Sequence, residues 1–121
     1  MFQLETEPTA NLIKLTFSGH LSAKETEECV QQVKQVLKEF APGFRLLTDL
    51  TGIEATDLDC APHIKNIMDL CNQAGIAMVV RVIPDPHKDI GLNIMSLFHY
   101  RRGVRIVTCK TIEQAQQALA N

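Results

Sequence analysis

The sequence lacks the features that would place a protein in a membrane, outside the cell or on nucleic acid. Its longest apolar candidate, Gly75 to Val80, is far shorter than the ~18 residues that a membrane-spanning helix needs. Met1 to Pro8 contains neither a basic nor an apolar export region. Twelve Lys and Arg against fourteen Asp and Glu leave no basic excess for nucleic acid. These absences predict a soluble protein that contacts neither membrane nor nucleic acid.

The four cysteines also lack a recognisable pattern. Cys29, Cys60, Cys71 and Cys109 are far apart and form no CxxC pair. In a chain without an export signal this spacing predicts reduced thiols, and therefore a cytoplasmic protein. Cys60 and His63 could share a metal on one helix, but two ligands are too few for a zinc site. No metal and no cofactor is predicted.

The composition that is present is that of an ordinary folded domain. The 121 residues are 45% hydrophobic and 21% charged, with a formal net charge of -2, and these values lie within the globular range. No linker, low-complexity tract or repeat of fixed period divides the chain. Residues 1–121 are therefore predicted to form a single domain.

Strand and helix patterns begin at the first residues. Phe2 to Glu5 and Leu12 to Ser18 predict two strands joined by a proline-containing turn, which favours an antiparallel hairpin that ends at Gly19. Ser22 and Glu25 have the spacing of a capping box, and the apolar residues that follow recur at helical spacing. The sequence therefore predicts a hairpin followed by an amphipathic helix.

The same alternation continues through the middle of the chain. Pro42 and Gly43 should end the first helix before a strand over Phe44 to Leu50. A short acidic loop then leads to Pro62, which suits the first turn of a second helix. Gly75 lies where that helix should end in a left-handed cap.

Two further strands and two further helices complete the pattern. Ala77 to Ile83 is nearly all apolar, which is typical of a central strand covered on both faces. A third helix is predicted over Ile90 to Phe98 with a glycine cap at Gly103. A strand over Val104 to Cys109 and a closing helix from Thr111 follow. The predicted element order is ββαβαβαβα.

This order defines the fold class. Repeated strand-helix units predict an α/β fold with a mixed, mostly parallel sheet, to which the N-terminal hairpin adds one antiparallel strand. Right-handed crossovers lay the parallel strands down in sequence order. Functional residues are expected at the carboxyl ends of these strands.

Three segments carry motifs of a known family. Leu15 to Ser22 has the sequence Leu-Thr-Phe-Ser-Gly-His-Leu-Ser, similar to a strand and helix cap that end in Ser-Gly-Arg-Leu-Asp. Leu47 to Asp57 is similar to Asp-Leu-Ser-x-Val-x-x-x-Asp, and Val104 to Leu119 is similar to a last strand and helix with Ser-x-x-x-Ala. The motifs resemble the STAS domain, the family of bacterial anti-sigma-factor antagonists and of cytoplasmic domains of sulfate transporters. The matching positions of the central motif are Asp49, Leu50, Ile53 and Asp57.

The resemblance implies a fold, a partner and a switch. The fold is the STAS-like, or SpoIIAA-like, βα superhelix, and the role is that of a stand-alone bacterial regulatory module that binds a protein such as an anti-sigma-factor kinase-like protein. In the family, a partner kinase phosphorylates the second serine of Ser-Ser-Gly at the start of the second helix. Leu58, Asp59 and Cys60 occupy those positions here, so phosphorylation at the usual serine is not expected. An aspartate, with a charge of about -1, imitates a phosphoserine of about -1.5 to -2 only in part.

The candidate partner-binding and switch residues lie between the second predicted parallel strand and the second helix. Asp59 has two interpretations, a cap for the helix or an imitation of phosphoserine. Asp49 and Asp57 are interpreted as loop-shaping residues, because no nucleophile and base are tied to them by spacing. No catalytic residue is predicted. The candidate residues are Asp49, Thr51, Asp57, Leu58, Asp59 and Cys60.

Arg81 is a charge inside an otherwise apolar predicted strand. Because it lies near the carboxyl end of that strand, it is predicted to pair with Asp49 or Asp57 at the sheet edge. Binding of an anion is the alternative, since ligands in α/β folds often lie outside the carboxyl ends of strands.

Three functions are compatible with the sequence. The first is a regulatory module that binds a protein, is not an enzyme, and has a homodimer as a further option. The alternative is a carrier of a small apolar or anionic ligand, in a pocket lined by Met68, Met78, Met95 and Phe98. An enzyme that uses Asp49, Asp57 or Cys60 ranks last, because no nucleophile, base and orienting group are recognisable together.

Overall fold

Five strands form one sheet in the order of their sequence. The computed structural model describes residues 1–83, 100 and 103–120. The sheet order is β1-β2-β3-β4-β5, with β1 antiparallel to β2 and all other neighbours parallel. The predicted sequential order is therefore confirmed. The strands are β1 (Phe2–Glu7), β2 (Leu12–Leu21), β3 (Arg45–Thr56), β4 (Met78–Val82) and β5 (Arg105–Cys109).

Three described helices connect or follow these strands: α1 (Ala23–Leu37), α2 (Ala61–Ala74) and α3 (Ile112–Ala120). The capping box before α1 is confirmed, because the Ser22 hydroxyl accepts a hydrogen bond from the Glu25 backbone N–H at 3.2 Å. None of the described helices is both long and apolar enough to span a bilayer. The helix predicted over residues 90–98 lies outside the described residues.

Both faces of the sheet carry buried apolar side chains, as the period of the strands requires. Along β3, Leu46 and Leu50 pack with α1 and α2, whereas the intervening Leu47 packs towards α3. α1 contributes Cys29, Val30, Val33 and Leu37 to the first face, and α2 contributes Ile64, Ile67, Met68 and Cys71. The second face is buried beneath Ala115 of α3. The central strands are therefore apolar on both sides, as predicted for a parallel sheet between helices.

β2 and β3 are longer than the sequence predicts. The predicted ends at Ser18 and Leu50 are wrong, because β2 continues to Leu21 and β3 continues to Thr56. The segment that begins at Gly52 and was predicted to be an acidic loop is largely strand. Each of the two extensions supplies the backbone partner of the other, so neither pattern alone predicts it.

Irregular pairing makes this extension difficult to see in the sequence. Thr16 pairs with Asp49, but Ser18 pairs with Gly52, and a second register shift follows Gly19. Gly19, at which the sequence pattern predicts the end of the strand, has a φ of 69° and here belongs to a bulge within β2. At Gly52 a Cβ atom would lie 3.1 Å from the Ser18 Cβ, so glycine allows the close approach of the two strands.

The C-terminal cap of α2 is confirmed and has two causes. Gly75 has a φ of 90°, and its backbone N–H donates to the Asn72 and Cys71 carbonyls. A Cβ atom on Gly75 would also lie 2.8 Å from the Pro42 Cβ. The Gly75 carbonyl accepts a hydrogen bond from the Gly43 N–H at 2.8 Å, which joins the end of α2 to the start of β3.

Gly75→Ala should destabilise the protein more than the matched change Gly43→Ala. Gly43 has a similar φ of 98° but open space around its missing Cβ, so Gly43→Ala should lower the free energy of unfolding only by the backbone penalty of about 1–2 kcal/mol. Gly75→Ala adds a clash with Pro42 and should cost roughly 1 kcal/mol more. Urea denaturation measures both, and equal losses would contradict the steric role given to Pro42.

Candidate functional site

The carboxyl ends of β2 and β3 hold a short turn in place, which we call the 57–60 turn (Asp57–Cys60). Leu58–Cys60 form one 3-10 turn that runs into α2. The Asp57 N–H donates to the Leu21 carbonyl at 3.1 Å, and the Cys60 N–H donates to the Asp57 carbonyl at 3.0 Å. The buried Cys60 thiol also donates to the Leu21 carbonyl at 3.2 Å. Leu21, the last residue of β2, therefore holds the turn in place through its backbone carbonyl.

The outer surface of the 57–60 turn is one apolar side chain between two carboxylates. The Leu58 side chain is 94% exposed, the most exposed of the large hydrophobic residues in the described ranges. Asp57 and Asp59 are both exposed beside it, whereas Cys60 is only 1% exposed. A leucine that is exposed to this extent contributes almost no hydrophobic burial to the fold.

His20 is a site residue that the sequence analysis missed. Its Nε2 lies 2.7 Å from Asp57 Oδ1, and both side chains are largely exposed. The contact depends on the extension of β2 beyond Gly19, which the sequence pattern did not predict. The pair positions the Asp57 carboxylate and leaves Asp59 as the carboxylate of the turn without an ion-pair partner among the described residues.

Asp49 and Thr51 form a separate local arrangement. Asp49 Oδ1 accepts a hydrogen bond from the Thr51 N–H at 3.0 Å and another from the Thr51 hydroxyl at 2.7 Å. These bonds span the first register shift of the β2–β3 ladder. The geometry fits the predicted shaping role of Asp49, but it does not bring Asp49 and Thr51 together with the 57–60 turn.

Asp49 also lines a cleft on the opposite side of the sheet from α1 and α2. This cleft, of about 400 Å³, lies between α3 and the face formed by β1, β2 and β3. Its lining mixes apolar floor residues with charged groups, two of which, Glu7 and Lys14, form an ion pair of 2.8 Å.

The interpretation of Asp59 as a helix cap is wrong, because its side chain makes no capping hydrogen bond. Asp59 lies inside the 3-10 turn, and no side chain caps either that turn or α2. The physical reason is that the turn continues directly into α2, so Cys60, with helical backbone angles, occupies the cap position. Asp59 retains only the favourable placement of a negative charge in the first turn.

The predicted pairing of Arg81 with Asp49 or Asp57 is also wrong for the described residues. Arg81 Nε donates to the Thr108 hydroxyl of β5 at 2.9 Å. Asp49 lines the cleft on the other face of the sheet, and Asp57 contacts His20. Arg81 instead lies in register between Thr48 of β3 and Thr108 of β5.

An apolar cavity lies beside this row of residues. Its volume is about 10 Å³, which is room for about one water molecule. Thr48 lines it and is only 2% exposed. Among the described residues neither Thr48 Oγ1 nor Arg81 Nη1 has a hydrogen-bond partner, although both atoms are buried. The cavity walls come from the sheet and α2, and include Leu15, Phe17, Leu46, Ile64 and Ile67.

Tyr100 also lines the cavity, and its environment is informative. Burial raises the pKa of the Tyr100 phenol far above its ordinary value, while the nearby Arg81 charge opposes that shift. Burial in turn lowers the pKa of Arg81. The Tyr100 phenol is therefore neutral and carries a hydroxyl that can donate a hydrogen bond.

The described cysteines and methionines form neither a metal site nor the methionine-lined pocket that the sequence suggests. All four cysteines are free and buried, and burial raises the pKa of Cys29 and Cys71 to about 12. Within the described ranges, no three His, Cys, Asp or Glu side chains gather as a metal site. Met68 and Met78 lie in the cores on opposite faces of the sheet, so they cannot line one pocket as predicted; Met95 and Phe98 lie outside the described residues.

Comparisons with known proteins agree on the fold. No protein-family model matches the chain, and no curated protein matches it in sequence. Solved structures do match: the anti-sigma factor antagonist SpoIIAA in its unphosphorylated form has a TM-score of 0.69 at 15% identity, over 100% of this chain and 99% of that chain.

Two further structures support the same assignment. A protein of the DUF3478 family with a SpoIIAA-like fold, from Shewanella loihica PV-4, matches with a TM-score of 0.65 at 14% identity, over 98% of this chain and 92% of that one. The Bacillus cell fate determinant SpoIIAA in its phosphorylated form matches with a TM-score of 0.64 at 14% identity, over 98% and 99%. The chain therefore has the SpoIIAA-like fold, which confirms the fold implied by the STAS resemblance.

Asp49→Ala and Asp59→Ala should separate a shaping residue from an exposed one. Asp49→Ala removes two hydrogen bonds at the register shift and should lower the free energy of unfolding by about 1–2 kcal/mol. Asp59→Ala removes no hydrogen bond and should change it by less than about 0.5 kcal/mol. Chemical denaturation checks both values. A loss near 1 kcal/mol for Asp59→Ala would restore its interpretation as a cap.

Proposed function

We propose that this protein is a regulatory binding module that docks a protein partner through the 57–60 turn and the adjoining exposed side of α2. The observation that carries the proposal is the nearly complete exposure of Leu58 on a turn held by backbone hydrogen bonds. Burying a leucine side chain in a partner contributes roughly 1.5–3 kcal/mol. Because the turn is already ordered, little backbone entropy is lost when it docks.

The charges around Leu58 define the kind of surface that the partner should present. Asp57 and Asp59 flank the leucine, so a complementary partner has an apolar socket with Lys or Arg at its rim. Lys65 and Asp69 form an exposed ion pair of 3.1 Å on α2, and they continue the polar side of the docking surface. Exposed pairs of this kind contribute little to stability and are free to serve recognition.

The structural neighbours suggest which partner to test first. Two of the three solved structures described above are anti-sigma factor antagonists or forms of SpoIIAA, and the STAS resemblance implies a kinase-like anti-sigma factor as their partner. An anti-sigma-factor kinase-like protein is therefore the first candidate, and docking of this kind requires no catalysis by the present chain. A bacterial cytoplasmic setting fits the same proposal.

The proposed docking is not switched by phosphorylation at the turn. Asp59 occupies the place of the family's acceptor serine. The Thr51 hydroxyl is already hydrogen-bonded to Asp49, and Thr56 lines the apolar cavity. A phosphate on either threonine would add negative charge close to carboxylates and no arginine or lysine lies between residues 52 and 62 to pair with it.

Site-specific cross-linking tests the docking surface directly. A photo-reactive benzoylphenylalanine in place of Leu58 should form a cross-link to a single kinase-like partner in cells, whereas the same group in place of the exposed Gln73 at the far end of α2 should not. With that partner purified, Leu58→Ala should weaken binding by about tenfold or more because of the lost apolar burial. Isothermal calorimetry measures the change.

Two further variants act as arms of the same test. Asp69→Lys should weaken binding while circular dichroism stays unchanged, because it places a positive charge opposite the basic rim expected of the partner, and Gln73→Ala should leave binding intact. Unchanged affinity of both Leu58→Ala and Asp69→Lys would show that the partner binds elsewhere.

Mass spectrometry of the native protein tests the absence of a phosphorylation switch. No stoichiometric phosphate is expected on Thr51 or Thr56. Asp59→Ser reports on the second interpretation of this residue: if Asp59 imitates phosphate, the variant becomes a substrate of the partner kinase and binds it more tightly when unmodified. Stoichiometric phosphate on either threonine, removed by a dedicated phosphatase, would contradict the proposal.

A further inference from the structure

A row of polar residues crosses the face of the sheet that carries the apolar core of α1 and α2, from the buried Thr48 through the half-buried Arg81 to the exposed Thr108. Thr48 of β3, Arg81 of β4 and Thr108 of β5 are direct register partners. Their neighbours along the strands, including Leu46, Leu50 and Val79, belong to the apolar core on that face. Arg81 is half-buried beside these apolar side chains, and a buried guanidinium N–H that lacks an acceptor is unfavourable there.

Two polar atoms of this row have no hydrogen-bond partner among the described residues. Arg81 uses its Nε to bind Thr108, but its Nη1 is buried and has no hydrogen-bond partner in the described part of the chain. The Thr48 hydroxyl, 2% exposed, has none either. Buried polar groups are nearly always satisfied, so two such groups on register partners indicate that something else supplies an acceptor.

The lining of the cavity beside Thr48 indicates what kind of molecule carries that acceptor. Thr48 and Tyr100 both line the cavity, and nearly all of its remaining walls are leucine, isoleucine and phenylalanine side chains. Apolar walls with a few convergent polar groups are the usual construction of a small-ligand site. Tyr100 adds a neutral hydroxyl close to the Arg81 charge.

We propose that Thr48, Arg81, Tyr100 and the adjoining cavity form a binding site for a short-chain monocarboxylic acid. The carboxylate accepts hydrogen bonds from Arg81 Nη1 and from the Thr48 hydroxyl, and the hydrocarbon chain enters between the sheet and α2. Arginine is the side chain best suited to a carboxylate.

Charge and size narrow the class of ligand. The described residues offer one guanidinium, that of Arg81, and two hydroxyl groups, those of Thr48 and Tyr100, and this set of donors suits a single carboxylate. The closed cavity holds about one water molecule at 10 Å³. The chain of the acid must therefore part the side chains of Ile64 and Ile67, which limits it to a few carbons. The site does not depend on the docking function proposed above.

An NMR titration of the full chain tests the proposal. The probes are butyrate, hexanoate and octanoate, with hexan-1-ol and hexylammonium as controls for the apolar chain and for the charge. Saturable shifts are expected for butyrate and hexanoate, and weaker ones for octanoate, at the Thr48 amide and at the Arg81 side-chain Nε–H, and the acids that bind should raise the thermal unfolding midpoint.

Matched variants distinguish recognition from packing. Arg81→Met should weaken hexanoate binding by roughly tenfold to a hundredfold. Thr48→Val should also weaken it, yet it should raise the unfolding midpoint of the free protein, because it removes an unsatisfied buried hydroxyl. Thr16→Val, on the opposite face of the sheet, and Arg105→Met, at the exposed start of β5, should leave binding unchanged.

Three results would overturn the proposal. Equal affinity for hexan-1-ol and hexanoate would show an apolar slot without anion recognition. Unaltered hexanoate binding in Thr48→Val and Arg81→Met would place the ligand elsewhere. Absence of saturable binding for all three acids would indicate that Thr48 and Arg81 are met only by water.

Discussion

The parallel pairing of β2 with β3, continued past two register shifts, is the constraint on which the candidate docking site depends. The pairing runs from Leu12 with Arg45 to Leu21 with Thr56. It ends where the Leu21 carbonyl receives both the Asp57 N–H and the Cys60 thiol. Without the final paired residues, the 57–60 turn would have no acceptor beneath it, and Leu58 would be part of a free loop.

The same ladder separates the two faces of the sheet. Because side chains alternate along β3, Thr48 faces the cavity beneath α2 while Asp49 faces the cleft beside α3. Asp49 and Arg81, which the sequence pattern predicts to form a pair, therefore lie on opposite faces of the sheet. This alternation explains why Arg81 binds Thr108 rather than Asp49, and the buried Arg81 Nη1 has no acceptor in the described part of the chain.

The fold could be predicted from local signals, whereas the site could be predicted only in part. The capping box at Ser22, the cap at Gly75 and the apolar run of β4 each depend on residues close in sequence, and each is found where expected. The contact between His20 and Asp57 and the exposure of Leu58 depend on pairing between distant strands. One feature of the sequence indicates Thr48: it is the polar residue in an otherwise apolar alternating series, Phe44, Leu46, Thr48 and Leu50.

The central claim is that the 57–60 turn is already ordered in the free protein and presents Leu58 to a partner. Amide hydrogen exchange measures this order residue by residue. We expect the Asp57 and Cys60 amides, which donate to the Leu21 and Asp57 carbonyls, to exchange as slowly as amides in the body of β3. Exchange of both at the rate of an unstructured peptide would contradict it, because Leu58 would then lie on a loop that orders only upon binding.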